Sequence, residues 1–484
     1  MNEIKVSYLN YPIYGIGSND KYVVTSGGGG GKSYGIEDLL DINTFNEKEK
    51  KLQMLWSTTQ QRGVVDSIVY DNKYDIWLGS VRNECVIFQI NEDTGPNIIH
   101  SFVTDFSPKH SRQVVVKFSS TSNFILTGGE DKTLKLWKLK IVEANPKGGA
   151  AGEEAAGEAA GEAAASSSTE AAATGAPEGG EAAAKEVAVK EADGAAAEAD
   201  APEGSVRLGK KKNFFIDTSS NIVEHVGDFR GHEECIKDCD IAEDEKIICT
   251  CSSDNSLKIW NTHTFVNLHT EQMNNPKQKG DKLNFRCCKF LRNTKRKEDF
   301  VYTLLTTAYT TRGNSYLITW SVVFDDKKDK FSCVKQKFIW LDDRPCCNIA
   351  MSLNEKFLAL GFSTGALKIY NNKYSLLAHY KKHELPITAM CFIKNDTFLL
   401  SAGADYSISC LHIDSFSFRY LRKIWKLFFI LMIMLTLCII MLDFFNVGYD
   451  LRMRDIIQNK SAFVKTKKKS PQPTRAPSPS SEEL

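Results

Sequence analysis

The sequence predicts an all-β protein, a seven-bladed β-propeller, followed by one C-terminal transmembrane helix. Short β-like runs recur along the chain in about seven units, an Ala, Gly and Glu-rich stretch interrupts them, and an apolar run lies at residues 424–445, uninterrupted from Leu427 to Leu442. Seven short sheets arranged radially make a closed ring. Unrelated strands of a β-sandwich are the alternative, but several units keep the same order of strand, turn and aromatic residue.

The clearest unit is GHEECIKDCDIAEDEKIICTCSSDNSLKIWN, residues 231–261. His232 opens its first strand, Ser252 ends the second, Asp254 occupies the tight turn and Trp260 ends the third. This order is typical of a WD repeat. In such repeats a His, a Ser or Thr, an Asp and a Trp are joined by hydrogen bonds across the blade. The unit therefore predicts a WD-repeat propeller.

The remaining units vary in how closely they follow this pattern. SNFILTGGEDKTLKLWKLK keeps an Asp and a Trp, EKFLALGFSTGALKIYNN is looser, and HELPITAMCFIKNDTFLLSAGADYSISCLHID has the His and Asp without a Trp. Weaker units lie at 6–45, 64–91 and 283–323. Because the last unit lacks an obvious fourth strand, we expect the N-terminal EIKVSYL to supply it and close the ring.

A long acidic insert divides the repeats. Residues 151–204 hold thirteen acidic residues against two lysines and almost no bulky apolar side chains. Such a segment cannot bury enough surface to offset the entropy of ordering. We therefore expect blades one to three at 1–143, a disordered insert at 144–212 between the third and fourth blades, and blades four to seven at 213–418.

Charge and cysteine usage exclude some classes of site. The net charge of +1 is a cancellation between the acidic insert and a mildly basic remainder, so it argues neither for nor against a nucleic-acid partner. We expect none. The thirteen cysteines are scattered without C-x-x-C spacing, so a zinc site is not expected. Since the N-terminus has no hydrophobic signal segment, most cysteines should be free core residues in a reducing compartment.

The apolar run IWKLFFILMIMLTLCIIMLDFF, residues 424–445, predicts a transmembrane helix rather than a buried core helix. Apolar residues occupy every face of it, and about 21 residues span roughly 31 Å as helix. Basic residues lie just before the apolar core that begins at Leu427, at Arg419, Arg422, Lys423 and Lys426. Together with the missing export signal, they favour a cytosolic propeller.

The tail at 446–484 is then expected on the lumenal side. It contains the sequon Asn459-Lys460-Ser461, and the chain ends in SEEL, which resembles a degenerate KDEL-type retrieval signal. A thin membrane such as that of the endoplasmic reticulum suits the modest length of the apolar run.

The stretch VVTSGGGGGKSYGIEDLL, residues 23–40, raises the question of a phosphate-binding P-loop. The pattern G-x-x-x-x-G-K-[ST] requires a glycine where this chain has Ser26. A P-loop also needs a following helix in an α/β core, whereas these glycines fall between the second and third strands of blade one. A nucleotidase and a passive glycine hairpin both stay open as alternatives.

The order of parts resembles a known family. NYPIYGI, then the glycine loop ending in Gly35-Ile36, the propeller with its HELPITAM blade, and a C-terminal membrane helix are similar to the endoplasmic-reticulum WD-repeat exchange factor for the Sar-type small GTPase, the prolactin regulatory element-binding protein family. The resemblance covers the order of parts over nearly the whole chain.

The resemblance implies a guanine-nucleotide exchange factor and not an enzyme with bond-making chemistry. It would activate a Sar-type GTPase at the endoplasmic-reticulum membrane and so start COPII coat assembly and export to the Golgi. Exchange needs only tighter binding of the nucleotide-free GTPase. The loop implied to contact the GTPase is Tyr34, Gly35, Ile36 and Glu37, with Ile36 as an apolar wedge and Gly35 permitting its turn.

The family loop is also ordered by potassium. If this carries over, no other cofactor is required, and the ion would be held by backbone carbonyls of Gly28, Gly29, Gly30 and Gly31. This chain departs from the family in having Ser33-Tyr34 before Gly-Ile and Glu37-Asp38 after it. The alternative function is a membrane-tethered WD-repeat scaffold without exchange activity.

Overall fold

The computed structural model of the protein describes residues 4–19, 21–29, 36–59, 63–119, 121–143, 205–208, 214–217, 221–275, 280–292, 301–328, 330–413 and 415–467. The described chain divides into two compact units, a β-propeller that ends at Leu411 and a C-terminal segment that begins at His412.

The propeller consists almost entirely of short antiparallel strands. In chain order they are β1 (Lys5–Tyr8), β2 (Ile13–Ser18), β3 (Val23–Gly27), β4 (Leu39–Asn46), β5 (Lys51–Thr59), β6 (Val65–Asp71), β7 (Ile76–Val81), β8 (Glu84–Asn91), β9 (Gly95–Val103), β10 (Gln113–Ser119), β11 (Phe124–Gly129), β12 (Leu134–Leu139), β13 (Val142–Glu143), β14 (Ser205–Leu208), β15 (Phe214–Asp217), β16 (Val223–Phe229), β17 (Ile236–Ile241), β18 (Ile247–Ser252), β19 (Leu257–Asn261), β20 (Asn267–Glu271), β21 (Asn284–Phe290), β22 (Val301–Tyr309), β23 (Ser315–Asp325), β24 (Lys330–Asp342), β25 (Cys346–Met351), β26 (Phe357–Phe362), β27 (Ala366–Asn371), β28 (Leu376–Lys381), β29 (Ile387–Ile393), β30 (Phe398–Gly403) and β31 (Ser407–His412).

Seven four-stranded sheets form the blades, and this confirms the predicted fold class. From the first blade to the seventh they are β2-β3-β4-β5, β6-β7-β8-β9, β10-β11-β12-β16, β17-β18-β19-β20, β21-β22-β23-β24, β25-β26-β27-β28 and β29-β30-β31-β1. The N-terminal strand closes the ring as predicted, because β1 pairs antiparallel with β31 in the last blade.

The core lies between neighbouring blades. The second strand of most blades is buried along its whole length, as in VVTSG of β3 and IICTCS of β18, because both faces are covered by adjacent sheets. This explains why these strands read as continuous apolar and small residues instead of alternating ones. Outer strands such as β24 are largely exposed.

The cysteines follow this pattern of burial. All thirteen are free, and nine of them are buried in the propeller, as the scattered spacing predicted. Burial raises the pKa of the Cys85 thiol and of the Cys346 thiol, which keeps them protonated and unreactive at neutral pH.

The position of the acidic insert corrects the predicted domain boundaries. Strand β16 is the fourth strand of blade three and pairs with β12, so the insert lies inside that blade and not between blades three and four. Blade four begins at Ile236, whereas the predicted boundary is at residue 213. The central part of the insert lies outside the described residues.

The ends of the insert form a small additional sheet in the order β13-β15-β14. Leu208 and Ile216 are buried in a cluster with Tyr74 and Ile76 of blade two, and the rings of Tyr74 and Phe214 are 5.1 Å apart. The predicted insert at 144–212 therefore contains ordered strand at β14. Because the chain leaves blade three after its third strand, the insert begins on the propeller face opposite to the turns that join second and third strands.

The C-terminal segment contains one helix, α1 (Ser415–Lys467). It extends beyond the predicted 424–445 on both sides. The stretch Ile424–Lys460 has a mean hydropathy of 2.7 over its most apolar window, and the side chains from Ile424 to Phe445 are exposed. Within the described residues this is the one helix long and apolar enough to cross a membrane.

Candidate functional site

The glycine loop joins β3 to β4, the second and third strands of blade one, as predicted. Its base is fixed by the NYP segment: the Gly28 N–H donates to the Pro12 carbonyl at 3.2 Å. A Cβ atom on Gly27 would lie 1.9 Å from that carbonyl oxygen, so only glycine fits there. The first glycines of the run are thus required by close backbone approach at the base of the loop.

The two flanks of the loop lie against each other. A Cβ atom on Gly28 would be 2.3 Å from Asp38 Oδ1, and one on Gly29 would be 2.9 Å from Ile36 Cβ. The described flanks, Gly28–Gly29 and Ile36–Asp38, are therefore in close contact beyond the last paired residues of β3 and β4, Gly27 and Leu39. Gly30, Gly31, Tyr34 and Gly35 lie outside the described residues, as do Lys32 and Ser33.

Ile36 lies in a different environment from the one expected of a loop-tip wedge. It is half-buried and packs on the core between blades seven and one, which includes Tyr11, Ile13 and Ala402. Ile36 is therefore partly buried in the protein on its own. The hydrophobic effect favours packing of an isoleucine beside an apolar cluster onto that cluster. Part of Ile36 remains accessible.

Glu37 connects the loop to the outer strand of the same blade. Its Oε2 accepts a hydrogen bond from Thr59 Oγ1 at 3.1 Å, at the end of β5. The carboxylate is half-exposed. Glu37 thus links the returning flank of the loop to the rim of the propeller.

Asp38 was not among the predicted site residues. It is buried, and within the described part of the chain its Oδ1 has no hydrogen-bond partner. An unpaired buried carboxylate oxygen is costly, and this one faces the first glycines of the loop. The sequence signal that could have identified it is an acidic residue directly before the apolar pair Leu39-Leu40 at the start of β4.

A polar network below the loop holds blade one together. Tyr11 Oη donates to Asp41 Oδ2 at 2.8 Å and lies 3.0 Å from Thr25 Oγ1, while Ser57 Oγ donates to the other Asp41 oxygen at 2.5 Å. Burial and the neighbouring Asp41 raise the pKa of Tyr11 well above its usual range. Tyr11 is therefore a neutral donor that positions the NYP segment under the loop.

The surroundings of the glycine run differ from those of a P-loop. The residues after the loop form strand β4, so no helix begins there to direct its N-terminus at a phosphate. Ser26, at the mismatched position, is buried, and its Oγ donates to the Leu39 carbonyl at 3.0 Å while accepting from the Val65 N–H at 3.0 Å. Its hydroxyl is thus engaged in joining blades one and two.

The structure brings together buried His, Ser or Thr and Asp side chains in two blades. In blade four, His232 lies 2.8 Å from Asp254 and 2.7 Å from Thr250, and Trp260 Nε1 donates to Thr250 at 2.9 Å. The hydroxyl of the WD-type network is therefore that of Thr250, not of Ser252. Blade seven repeats the arrangement around His383.

These networks brace the blades and offer no reaction site, because their histidines are almost fully buried. Among the described residues, no group of three or more His, Cys, Asp or Glu side chains is arranged to hold a metal ion. The candidate functional site is therefore the glycine loop of blade one, of which the structure describes the flanks Gly28–Gly29 and Ile36–Asp38.

Comparison with known protein families supports the fold. Three segments, residues 100–138, 223–261 and 374–410, match the family model described as WD domain, G-beta repeat. Each match begins in or next to the outer strand of one blade and continues through three strands of the next. No curated protein matches the chain in sequence. The chain is thus a seven-bladed β-propeller that contains WD40 repeats and carries one C-terminal helix long and apolar enough to span a membrane.

Proposed function

We propose that the protein is a guanine-nucleotide exchange factor for a Sar-type small GTPase, anchored in the endoplasmic-reticulum membrane by helix α1. The proposal rests on the observation that the base of the glycine loop is held in place by contacts with the rest of blade one. Gly27 and Gly28 are tied to Pro12, and Ile36 is held at the other flank by packing. The described flanks of the loop are therefore held in fixed positions at the place where we propose that a partner binds.

Ile36 is proposed as the apolar contact with the GTPase. Its side chain packs partly on the blade core and remains partly accessible, so the packing fixes the side chain before the partner arrives. A preorganised apolar anchor loses less entropy on binding than a free one. Tighter contact with the nucleotide-free GTPase than with the loaded form then drives nucleotide release.

A potassium ion is proposed at the base of the loop. The residues fit such an ion, because Asp38 Oδ1 is buried without a hydrogen-bond partner and faces Gly28. Oxygen ligands suit a hard monovalent cation. Asp38 and backbone carbonyls of Gly28–Gly31 would hold it, and its charge would order the loop.

The test is release of fluorescent GDP from a Sar-type GTPase by the full-length protein in liposomes. We expect the protein to accelerate release and Ile36→Ala to slow it by at least about 30-fold, the effect of losing one buried anchor that acts on the transition state. Lys32→Ala should have little effect. In the same assay, exchanging potassium for a large organic cation should slow GDP release by the wild type and leave the rate of GDP release by Asp38→Asn unchanged.

Because Ile36 packs on the core, its loss also costs stability, about 1 to 3 kcal/mol for a half-buried isoleucine. Leu52→Ala is the matched control, since Leu52 is a half-buried residue on the same cluster outside the loop. Thermal unfolding of both variants separates stability from exchange. If Ile36→Ala releases GDP at the wild-type rate while Lys32→Ala does not accelerate release, the role of Ile36 as the apolar wedge is overturned. If the wild type does not accelerate GDP release, the alternative of a WD-repeat scaffold without exchange activity is favoured.

A further inference from the structure

The innermost strand of every blade carries a β-bulge near its start. In blade one the pairing of β2 with β3 shifts between Ile13 and Gly15, which leaves Tyr14 as the extra residue. The same shift follows the first residue of β6, β10, β17, β25 and β29 and the second residue of β21. In each blade the residue before the bulge is buried, whereas the bulge residue is exposed or half-buried. Because a bulge changes the direction of a side chain, these seven residues form a ring around the central channel of the propeller.

This ring, here called the mouth ring, lies on the propeller face that carries the glycine loop. Ile13 near the start of blade one pairs with Gly27 at the end of β3, so the innermost strands begin at the face with the turns between second and third strands. Four members of the mouth ring are uncharged, namely Tyr14, Val114, Cys347 and Thr388. The charged members are Asp66, Lys237 and Arg286.

The two cations of the mouth ring have no carboxylate partner in the part of the chain that the structure describes. Asp66 is engaged elsewhere, because its Oδ2 accepts hydrogen bonds from Arg112 Nε at 3.1 Å and from Arg112 Nη2 at 2.7 Å. Among the described residues, no carboxylate lies at ion-pair distance from the Lys237 amine or the Arg286 guanidinium. Both side chains are half-buried. Since lysine and arginine are seldom buried without a partner, an unpaired pair of them is informative.

The carboxylates below the mouth ring are paired with other lysines. Lys117 lies 3.8 Å from Asp238, and Lys289 lies 3.0 Å from Asp240. Asp238 Oδ2 also accepts a hydrogen bond from the Cys288 N–H at 3.0 Å. This bond joins the innermost strands of blades four and five next to the two mouth-ring cations. These cations are therefore neighbours on adjacent strands, and their charges are not neutralised from below.

The arrangement suits an acidic peptide segment. Cations in the mouth of a channel with protein walls attract anions, because low-dielectric walls concentrate the electric field, and both lysine and arginine form charge-assisted hydrogen bonds with carboxylates. Alternate side chains of an extended peptide lie about 7 Å apart. An aspartate side chain and one hydrogen bond span a similar distance, so strands joined in this way place the two cations at a matching spacing. A phosphate site would instead be expected to offer backbone N–H groups of a helix N-terminus.

We infer that Lys237 and Arg286 bind two acidic side chains of an extended peptide segment of a partner protein, at the mouth of the central channel. The uncharged members of the mouth ring supply the remaining contact surface, so the charge that holds the segment comes from blades four and five. The site is separate from the glycine loop of blade one. It does not depend on the proposed exchange function.

The experiment measures binding of a fluorescein-labelled hexaglutamate peptide to the full-length protein in nanodiscs of zwitterionic lipid, by fluorescence anisotropy. We expect saturable binding that weakens with added salt. Lys237→Gln and Arg286→Gln should each weaken it by about tenfold or more, the effect of losing one charge-assisted hydrogen bond. Lys237→Arg keeps the charge and should bind like the wild type. Lys335→Gln is the matched control, because it removes one exposed lysine from the outer strand β24, and it should also bind like the wild type.

Three results would overturn the inference. One is the absence of saturable binding, or weakening by Lys335→Gln as large as that by Lys237→Gln, which would mean that no defined site exists. Another is weakening by Lys237→Arg equal to that by Lys237→Gln, which would assign the effect to packing and not to charge. The third is displacement of the peptide by inorganic phosphate at a similar concentration, which would identify a phosphate site in place of one for carboxylates. Equal melting temperatures of the variants establish that the fold is intact.

Discussion

At the scale of single residues, the buried WD-type network of blade four makes stability depend on pH. Asp254 is nearly buried, and burial alone would raise its pKa. The hydrogen bonds from His232 and Ser256 and from the Glu233 N–H outweigh burial and hold the pKa well below the usual range. The folded protein therefore stabilises the ionised form of Asp254.

Since the folded pKa is depressed, this contribution is fully present above the unfolded value, about 3.9. It is lost as the pH falls from there through the folded pKa. Asp254→Asn should lower the unfolding free energy by about 2 kcal/mol at pH 7, and the difference from wild type should shrink at pH 3. Urea unfolding followed by tryptophan fluorescence at pH 7, 4 and 3 measures this.

The exposed Asp93 provides the control for that experiment. Asp93→Asn should leave the urea midpoint close to wild type at each pH, because an exposed carboxylate without a fixed partner contributes little. If the difference in unfolding free energy between wild type and Asp254→Asn stays the same from pH 7 to pH 3, the stabilising role of the ionised Asp254 is contradicted.

At the scale of strands and loops, the sequence predicted most elements but not how they are distributed among blades. The WD pattern ends at Trp137 and resumes near residue 223, so the insert lies between two repeats in the sequence. In space the first strand of each repeat is the outer strand of the preceding blade, and β16 therefore completes blade three. Sequence periodicity marks repeats, whereas hydrogen bonding defines blades.

The candidate site was predictable only in outline. The glycine run and its place between the second and third strands of blade one followed from the pattern. The packing of Ile36 and the unpaired oxygen of Asp38 did not, because each depends on contacts with the NYP segment or the opposite flank of the loop. Such contacts between distant segments leave no local periodicity in the sequence.

The small sheet at the ends of the insert predicts which part of the insert is dispensable. Strands β13 and β14 are both paired with β15, and strand spacing and rise place Glu143 about 14 Å from Ser205. Removing residues 153–199 leaves enough chain to connect them. The unfolding free energy should stay within about 1 kcal/mol of wild type, since loop-length entropy changes slowly.

Leu208→Ala is the contrasting variant for the insert. Leu208 is fully buried against blade two, so its truncation should cost about 2 to 5 kcal/mol. Both proteins are compared by chemical unfolding in the same detergent. A deletion of 153–199 that destabilises as much as Leu208→Ala would mean that the removed residues make packing contacts.

At the scale of the whole molecule, the two ends of the chain have different roles: the N-terminal strand closes the propeller ring, and the C-terminal helix is long and apolar enough to cross a membrane. The N-terminal strand β1 is the outer strand of the seventh blade, so the propeller is complete only when both ends of its sequence have been made. Helix α1 follows β31 directly in the chain. The propeller is therefore synthesised before helix α1, which among the described residues is the one helix long and apolar enough to cross a membrane.

This order predicts that the propeller stays cytosolic and that the region beyond Phe445 is lumenal. The sequon residue Asn459 is fourteen residues past Phe445, about 21 Å along a helix, and can be glycosylated only in the lumen. In sealed microsomes, protease should remove the propeller and leave a protected C-terminal fragment. Endoglycosidase should shift that fragment in wild type but not in Asn459→Gln. A protected propeller with a digested, unglycosylated tail would reverse the topology, and it would also separate the glycine loop from any cytosolic GTPase.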